Sequence, residues 1–191
     1  MNIFSILGSP RSNGNTAGVL DMVERELSGQ HRVDRLDIAS VKINGCLGCG
    51  KCRQTSDRPG CIQKDDTVSV FERMLAADAV IYSTPLYCWG FSSQMKALID
   101  RHYCLVTGFG TPDHRSLLAG KPVALLVTCA GPVEGNADVI QTLFNRLCQF
   151  DQARIVNKTV VPQCTTPDAL GEDARAAARK LAGDINGALR Q

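Results

Sequence analysis

Four cysteines lie within sixteen positions of the chain, in the stretch INGCLGCGKCRQTSDRPGC. The first three follow the spacing C-x2-C-x2-C, and the fourth comes after eight further residues. Glycines at positions 45, 48 and 50 let backbone and thiolates wrap around a small object. A [4Fe–4S] cluster needs four thiolates from such a compact loop. The cysteine-rich loop, at about residues 43–64, is therefore a candidate metal site with the ligands Cys46, Cys49, Cys52 and Cys61.

Other interpretations of this loop remain open from the residues alone. Structural zinc also takes four cysteines, but typically as two separated C-x2-C pairs. Reduced, unligated cysteines or a redox-active disulfide are further alternatives. Lys51 and Arg53 are expected to lower the pKa of the neighbouring thiols, which would favour ligation or oxidation. The five remaining cysteines are scattered, and most of them are expected to be small buried hydrophobic residues.

Composition narrows the class of protein. The chain has 191 residues and a formal net charge of +2, with basic and acidic residues interspersed. No basic stripe indicates a nucleic-acid surface. The apolar start is too short for the core of a signal peptide, and no apolar run approaches the length of a membrane span. We expect a cytoplasmic protein with neither nucleic acid nor membrane as partner.

The elements that position these residues follow from the hydrophobic pattern. Apolar strands alternate five times with helical patterns, which predicts one α/β domain over residues 1–191 with a five-stranded parallel sheet and helices on both faces. The predicted strands cover residues 2–7, 31–38, 79–84, 122–128 and 153–161. The predicted helices begin near Asn15, Asp65 or Asp66, Ser92, Glu134 and Thr166, and a long loop is expected from Cys104 to Gly120. Ligands of such sheets bind beyond the carboxyl ends of the strands.

Three loops at those strand ends could together hold a mononucleotide. GSPRSNGNT leads directly into a helix, and its hydroxyls and free N–H groups suit a phosphate, although an ordinary capped loop would look similar. It matches neither G-x-G-x-x-G nor the ATP P-loop pattern. STPLYCWGFSSQMK carries Tyr87 and Trp89, which could pack on a flat heterocycle or cover the core. TCAGPVEGN offers backbone N–H groups to a ring. One phosphate site and two loops suited to a planar ring predict a flavin mononucleotide.

These stretches, with INGCLGCGKC, KDD and TPLYCWGFSSQMKALIDR, resemble flavodoxin-fold FMN proteins of the NADPH-dependent FMN reductase and iron–sulfur flavoprotein superfamily. The resemblance covers nearly the whole chain and implies the strand order 2-1-3-4-5 and a homodimer or homotetramer. It implies that the FMN phosphate is bound by Ser9, Arg11, Ser12, Asn13, Gly14, Asn15 and Thr16. It implies that the isoalloxazine lies between Thr84, Pro85, Leu86, Tyr87, Cys88, Trp89 and Gly90 on one side and Thr128, Cys129, Ala130 and Gly131 on the other. The gap before the fourth cysteine is longer here than is usual in that superfamily.

The predicted function is an FMN-dependent oxidoreductase that passes electrons from NADH or NADPH to an acceptor such as a quinone or a flavin. No catalytic side chain is named, because the cofactor carries the chemistry. An iron–sulfur flavoprotein that exchanges electrons with a ferredoxin-type partner is the main alternative, and a flavin-binding module whose cysteines sense oxidation is a third. His102 and His114 are interpreted as surface residues, and Asp100 with Arg101 as a structural pair.

Overall fold

A parallel five-stranded sheet forms the centre of the fold in the computed structural model, which describes residues 1–190. Two sheets are formed in the described residues, and their strands in chain order are β1 (Asn2–Leu7), β2 (Arg32–Asp37), β3 (Ala79–Pro85), β4 (Val106–Thr107), β5 (Arg115–Ser116), β6 (Pro122–Thr128) and β7 (Arg154–Val161). The sheet order is β2-β1-β3-β6-β7, while β4 and β5 form a separate antiparallel pair. Since β6 and β7 are the fourth and fifth strands of the main sheet, the predicted α/β fold and the order 2-1-3-4-5 are confirmed.

Helices cover both faces of this sheet. They are α1 (Asn15–Ser28), α2 (Thr67–Ala76), α3 (Ser93–Asp100), α4 (Asp138–Phe150) and α5 (Glu172–Leu189). Successive side chains of a strand point to opposite faces. Accordingly Phe4 and Ile6 of β1 pack in the core layer formed with α2, α3 and α4, whereas Ile3 and Leu7 pack in the layer formed with α1 and α5. In the described part of the chain, no helix is both long and apolar enough to cross a bilayer.

Two predicted helix starts are wrong by several residues. The helix predicted from Glu134 begins at Asp138, because Gly135 has a left-handed backbone with φ of 66° that a helix does not accommodate. The helix predicted from Thr166 begins at Glu172, after a separate 3-10 turn at Pro167–Ala169. The two are separated because Leu170 and Gly171 have extended backbones.

The surface interpretation of His102 is wrong. Its side chain is 1% exposed, and Nδ1 lies 2.7 Å from Oδ2 of Asp151 at the end of α4. The ring also meets Phe71 edge-on, with 5.1 Å between the ring centroids. His114 is half-buried, with Nε2 2.9 Å from the carbonyl oxygen of Phe150. Both histidines thus attach the segment after α3 to the body of the fold.

The predicted pair of Asp100 with Arg101 is also wrong. Neighbouring residues at a helix end project in different directions, so they do not face each other. Asp100 forms an exposed pair with Lys96, while Arg101 turns inward and pairs with Asp65. Among the scattered cysteines, Cys104, Cys129 and Cys148 are buried as expected, Cys164 is half-buried and Cys88 is exposed.

Candidate functional site

A cavity of about 510 Å³ lies beyond the carboxyl ends of β1, β3 and β6. This volume is in the range of small-ligand sites, and the place is the crevice where open α/β sheets bind ligands. Its lining comes from four loops and comprises Ser9, Arg11, Asn13, Gly14, Asn15, Thr16, Pro85, Leu86, Tyr87, Thr128, Cys129, Ala130, Cys164, Thr165 and Pro167.

The start of α1 forms one end of this cavity. Gly14 is the N-cap, and the first helical hydrogen bond runs from the Gly18 N–H to the Gly14 carbonyl at 3.0 Å. The N–H groups of the residues between them therefore have no acceptor within the helix. The first turn carries no acidic residue. Free N–H groups and the positive end of the helix dipole together suit a phosphate group.

Arg11 and Tyr87 stand opposite each other at the cavity mouth. Arg11 Nη2 donates a long hydrogen bond of 3.4 Å to the Tyr87 hydroxyl, and both side chains are exposed. The Arg11 N–H donates to Ser9 Oγ at 3.0 Å, which shapes the loop below. The guanidinium thus stands where it can reach an anion at the helix start while it contacts the aromatic loop.

Polar groups inside the cavity are only partly satisfied by the protein. The hydroxyls of Thr16 and Thr128 are buried and lie 2.7 Å apart, which ties α1 to the end of β6. Asn15 Oδ1 is buried and has no hydrogen-bond partner within residues 1–190. A buried acceptor without a partner is costly unless a ligand donor meets it. The side chain therefore fits a ligand with hydroxyl groups next to its phosphate.

The loop after β3 contains a strained turn at the edge of the cavity. Tyr87 and Gly90 exchange two backbone hydrogen bonds of 3.1 and 3.0 Å. Between them Cys88 and Trp89 have φ of 46° and 60°, in the left-handed region that non-glycine residues rarely adopt. Trp89 is 59% exposed. Such strain often accompanies a functional segment.

The cavity gathers most, but not all, of the residues predicted for FMN. Ser12, Thr84, Cys88, Trp89, Gly90 and Gly131 do not line it. Thr84 is buried; its hydroxyl accepts from the Ser92 N–H at 3.2 Å and donates to the Pro85 carbonyl at 2.9 Å. Conversely, the loop after β7 supplies Cys164, Thr165 and Pro167, which were not predicted. The rule that ligands bind at the carboxyl ends of strands, applied to the fifth strand as well, would have found them.

The four predicted metal ligands line one small cleft on the same side of the sheet as α3. Its lining includes Cys46, Cys49, Cys52, Cys61, Arg101, Tyr103 and Cys104. Four thiols in one cleft fit an iron–sulfur cluster in the type and number of donors. Throughout residues 1–190, however, no three His, Cys, Asp or Glu side chains stand close enough together to hold a metal ion.

The eight residues between Cys52 and Cys61 form a loop whose two ends lie close together. Residues Lys51–Gln54 form a 3-10 turn, and the Gly60 N–H later donates to the Cys104 carbonyl at 3.3 Å. A Cβ on Gly60 would lie only 2.6 Å from the Thr55 Cβ. The two sides of this loop are therefore in contact, and position 60 requires glycine. The chain thus returns Cys61 to the cleft that Cys52 lines.

The positive charge next to the thiols comes from Arg101 and not from Lys51 or Arg53. Burial raises the pKa of Cys52, and the neighbouring thiols raise it further, so the expectation that Lys51 and Arg53 lower it is wrong for this residue. The cation in contact with a sulfur is Arg101, whose Nη2 donates to Cys61 Sγ at 2.9 Å. Burial raises the pKa of Cys104 to about 12, so this fifth cysteine of the cleft stays a thiol.

Comparisons with known proteins identify the family of this chain. The model of the family described as NADPH-dependent FMN reductase matches residues 1–166. An iron–sulfur flavoprotein of Archaeoglobus fulgidus is 35% identical over 77% of this chain and 62% of its own length. One of Methanocaldococcus jannaschii is 37% identical over 53% of this chain and 50% of its own length. The chain therefore spans only about half to three fifths of the curated relatives it matches.

A solved structure supports the fold. An NAD(P)H:quinone oxidoreductase from Methanothermobacter marburgensis superimposes with a TM-score of 0.73 at 19% identity, over 97% of this chain and 96% of the other. At this identity the similarity concerns the arrangement of strands and helices, which is the flavodoxin-like arrangement described above.

Proposed function

The chain belongs to the NADPH-dependent FMN reductase family, and we propose that it binds FMN and passes electrons from NADH or NADPH to an acceptor such as a quinone or a flavin. The observation that carries the proposal is the cavity at the carboxyl ends of β1, β3 and β6. At one end it has a helix start without acidic residues, where Asn15 contributes a buried acceptor that has no partner within residues 1–190. These features suit, in that order, a phosphate and a hydroxylated chain next to it.

The residues of the cavity bind and orient the cofactor in this proposal. Bound FMN would supply the capacity to accept a hydride and release electrons in ones or twos. The N–H groups at the start of α1 and the Arg11 guanidinium hold the phosphate. Pro85–Tyr87 and Thr128–Ala130 enclose the ring, and the Leu86 N–H fixes their spacing by donating to the Thr128 carbonyl at 2.8 Å. Trp89, two residues after Tyr87 of the cavity lining, is exposed.

The test is a turnover assay with FMN-loaded protein. NADH and NADPH are offered in turn with a quinone, a dye and free flavin, and the apoprotein serves as the control. We expect oxidation of at least one nicotinamide that depends on bound FMN. Failure with every combination of donor and acceptor, although the protein holds FMN, would refute the proposed activity.

Arg11→Ala is expected to weaken FMN binding by about 10–100-fold. A hydrogen bond between charged groups contributes about 1.5–3 kcal/mol, and 1.4 kcal/mol corresponds to tenfold in affinity. The measurement is a titration of apoprotein with FMN by quenching of flavin fluorescence. Arg25→Ala removes the same charge from the exposed last turn of α1 and should leave the affinity unchanged. Equal affinities of the two variants would contradict the role of Arg11.

A second candidate function rests on the cysteine cleft. We propose that the protein also holds a [4Fe–4S] cluster and works as an electron carrier with a ferredoxin-type partner. The supporting observations are the four thiols of one cleft and the guanidinium that donates to one of them. The relatives from Archaeoglobus fulgidus and Methanocaldococcus jannaschii are themselves named iron–sulfur flavoproteins. When bound, the cluster would supply one-electron transfer.

Metal analysis of anaerobically prepared protein tests this second proposal. Flavin, iron, acid-labile sulfide and zinc are measured per chain. We expect one flavin with about four iron and four sulfide, since that is the content of a [4Fe–4S] cluster. One flavin with neither iron nor sulfide, even after reconstitution, would leave the first function standing and remove the second.

A further inference from the structure

Cys61 differs from the other cysteines of the cleft in what it contacts. Cys46 and Cys49 are exposed, and within residues 1–190 the sulfur of Cys46 accepts from the Gly48 N–H of its own turn alone, at 3.4 Å. Cys61 is half-buried, and its sulfur accepts from Arg101 Nη2 at 2.9 Å. Cys52 Sγ donates to the Tyr103 carbonyl at 3.8 Å, a longer contact than the one between Cys61 and Arg101. Among the four predicted ligands, in the described chain, Cys61 is thus the one whose sulfur a charged side chain contacts.

Arg101 is itself held by hydrogen bonds from both of its terminal nitrogens. Its side chain is 1% exposed and that of Asp65 is 0% exposed. Nη1 donates to Asp65 Oδ2 at 2.8 Å and Nη2 donates to Oδ1 at 3.2 Å, which is the forked geometry that Arg offers and Lys does not. Asp65 also accepts from the N–H groups of Asn44 at 2.9 Å and Thr67 at 3.2 Å. A guanidinium held in this way has little freedom to leave the sulfur.

The same side chain joins the two ends of the cysteine-rich loop. Arg101 Nη1 donates to the carbonyl of Asn44, two residues before Cys46, at 2.8 Å. Its Nη2 contacts Cys61 at the other end of the loop. Closing a loop costs conformational entropy, and one rigid donor that contacts both ends offsets part of this cost. Arg101, directly after α3, thereby offsets part of the entropy cost of the long gap before the fourth cysteine.

We propose that Arg101 is the positioning residue of the cysteine cleft: it holds the Cys61 sulfur as the fourth ligand of a [4Fe–4S] cluster and keeps its hydrogen bond to that sulfur in the assembled site. This inference rests on the second function proposed above. Hydrogen bonds to cluster sulfurs raise the reduction potential. Outer partners that orient metal ligands typically contribute about 10–100-fold in metal affinity.

Three variants separate this role from a structural one. Arg101→Lys keeps the charge beside Asp65 but removes the fork that reaches Cys61. Cys61→Ala removes the sulfur and leaves the pair of Arg101 with Asp65 in place. Arg53→Lys is the matched control, because Arg53 lies 5.6 Å from the Tyr103 ring at the same cleft and is exposed.

Reconstituted holoprotein of each variant is assayed for FMN content, iron retained under a chelator and the midpoint potential of the cluster. We expect Arg53→Lys to match the unmodified chain. Arg101→Lys should retain its FMN but lose iron to the chelator about ten times more readily, with a more negative potential. Cys61→Ala should lose iron at least as readily. An Arg101→Lys protein with the chelator resistance and potential of the unmodified chain would overturn the role of Arg101.

A measurement on the unmodified chain covers the case in which Arg101→Lys does not fold. Protein labelled with ¹⁵N in the arginine guanidinium groups is reduced, and nitrogen coupling to the paramagnetic cluster is recorded by electron–nuclear double resonance. We expect a nitrogen coupling in the unmodified chain, and the same coupling in Arg53→Lys. Protein that holds the cluster but shows no such coupling would overturn the proposal. A chain that holds FMN but takes up no iron instead overturns the cluster function itself, so the two failures are distinguishable.

Discussion

Asp65→Ala is expected to lower the free energy of unfolding by about 3–5 kcal/mol, because it leaves the Arg101 guanidinium buried without its counter-charge. The two side chains are 1% and 0% exposed, so water does not take the place of the missing carboxylate. Arg101 Nε already has no hydrogen-bond partner in the described chain, which leaves little capacity for rearrangement. Removing one partner of a buried pair costs more than the pair itself contributes.

Thermal or urea unfolding measures this loss. For a chain of this size each kcal/mol corresponds to about 2–4 °C, so Tm should fall by about 6–20 °C. Asp100→Ala is the matched control, since it removes an exposed carboxylate that pairs with Lys96 one turn away. Such pairs contribute about 0.3–0.5 kcal/mol. Similar losses of Tm in both variants would show that the buried pair contributes no more to stability than the exposed one.

The loss should also depend on pH in a defined direction. Burial by itself would raise the pKa of the Asp65 carboxyl, but Arg101 and the N–H groups of Asn44 and Thr67 lower it well below its usual range. A pKa that is lower in the folded state contributes stability above the unfolded value of about 3.9 and loses it in more acidic solution. The difference between the unmodified chain and Asp65→Ala should therefore be full at pH 7 and shrink below about pH 4. A difference that grows in acid would contradict this assignment.

Local patterns were sufficient for the sheet and for most of the cavity. The nearly continuous apolar run NIFSIL indicated a strand buried on both faces, and β1 is that strand. The alternating pattern of HRVDRLDI indicated an edge strand, and β2 is at the edge. Because parallel strands bring their carboxyl ends to one side, loops far apart in sequence could be placed around one cavity without any knowledge of contacts.

Contacts between distant side chains were not predictable in this way. Arg101 meets Asp65 across 36 positions, and His102 meets Asp151 across 49. No period in the sequence distinguishes an arginine that turns inward at a helix end from one that points to solvent. The left-handed backbone of Cys88 and Trp89 was likewise hidden, because turn preferences would place glycine or asparagine there. Arg101 lines the cysteine cleft, and Cys88 and Trp89 follow Tyr87 of the cavity lining. Local rules are most often broken at such candidate sites.

Gly8→Ala is expected to weaken FMN binding by about 10–100-fold, through displacement of the loop that carries Ser9 and Arg11. A Cβ on Gly8 would lie 2.8 Å from the Ser83 carbonyl oxygen and 2.7 Å from Met95 Cε. Met95 Cε is the end of a flexible side chain and can move, but the Ser83 oxygen belongs to the backbone of β3. Since Gly8 also donates its N–H to that same oxygen at 2.7 Å, the backbone cannot retreat without losing this bond.

The carbonyl of Gly8 is restrained as well, because it accepts the hydroxyl proton of Ser92, the N-cap of α3. The added methyl group is therefore expected to displace the start of the loop that carries Ser9 and Arg11, while β3 stays in place. Overpacking of this kind costs about 1–3 kcal/mol, which would appear largely in FMN affinity if the fold absorbs it at the loop. Gly29→Ala, at the other end of α1, is the matched control: its φ is −67° and a Cβ there would meet nothing within 4 Å. If flavin titration gave equal affinities for the two variants, with equal Tm, the close approach of β1 to β3 at Gly8 would not determine the shape of the phosphate loop.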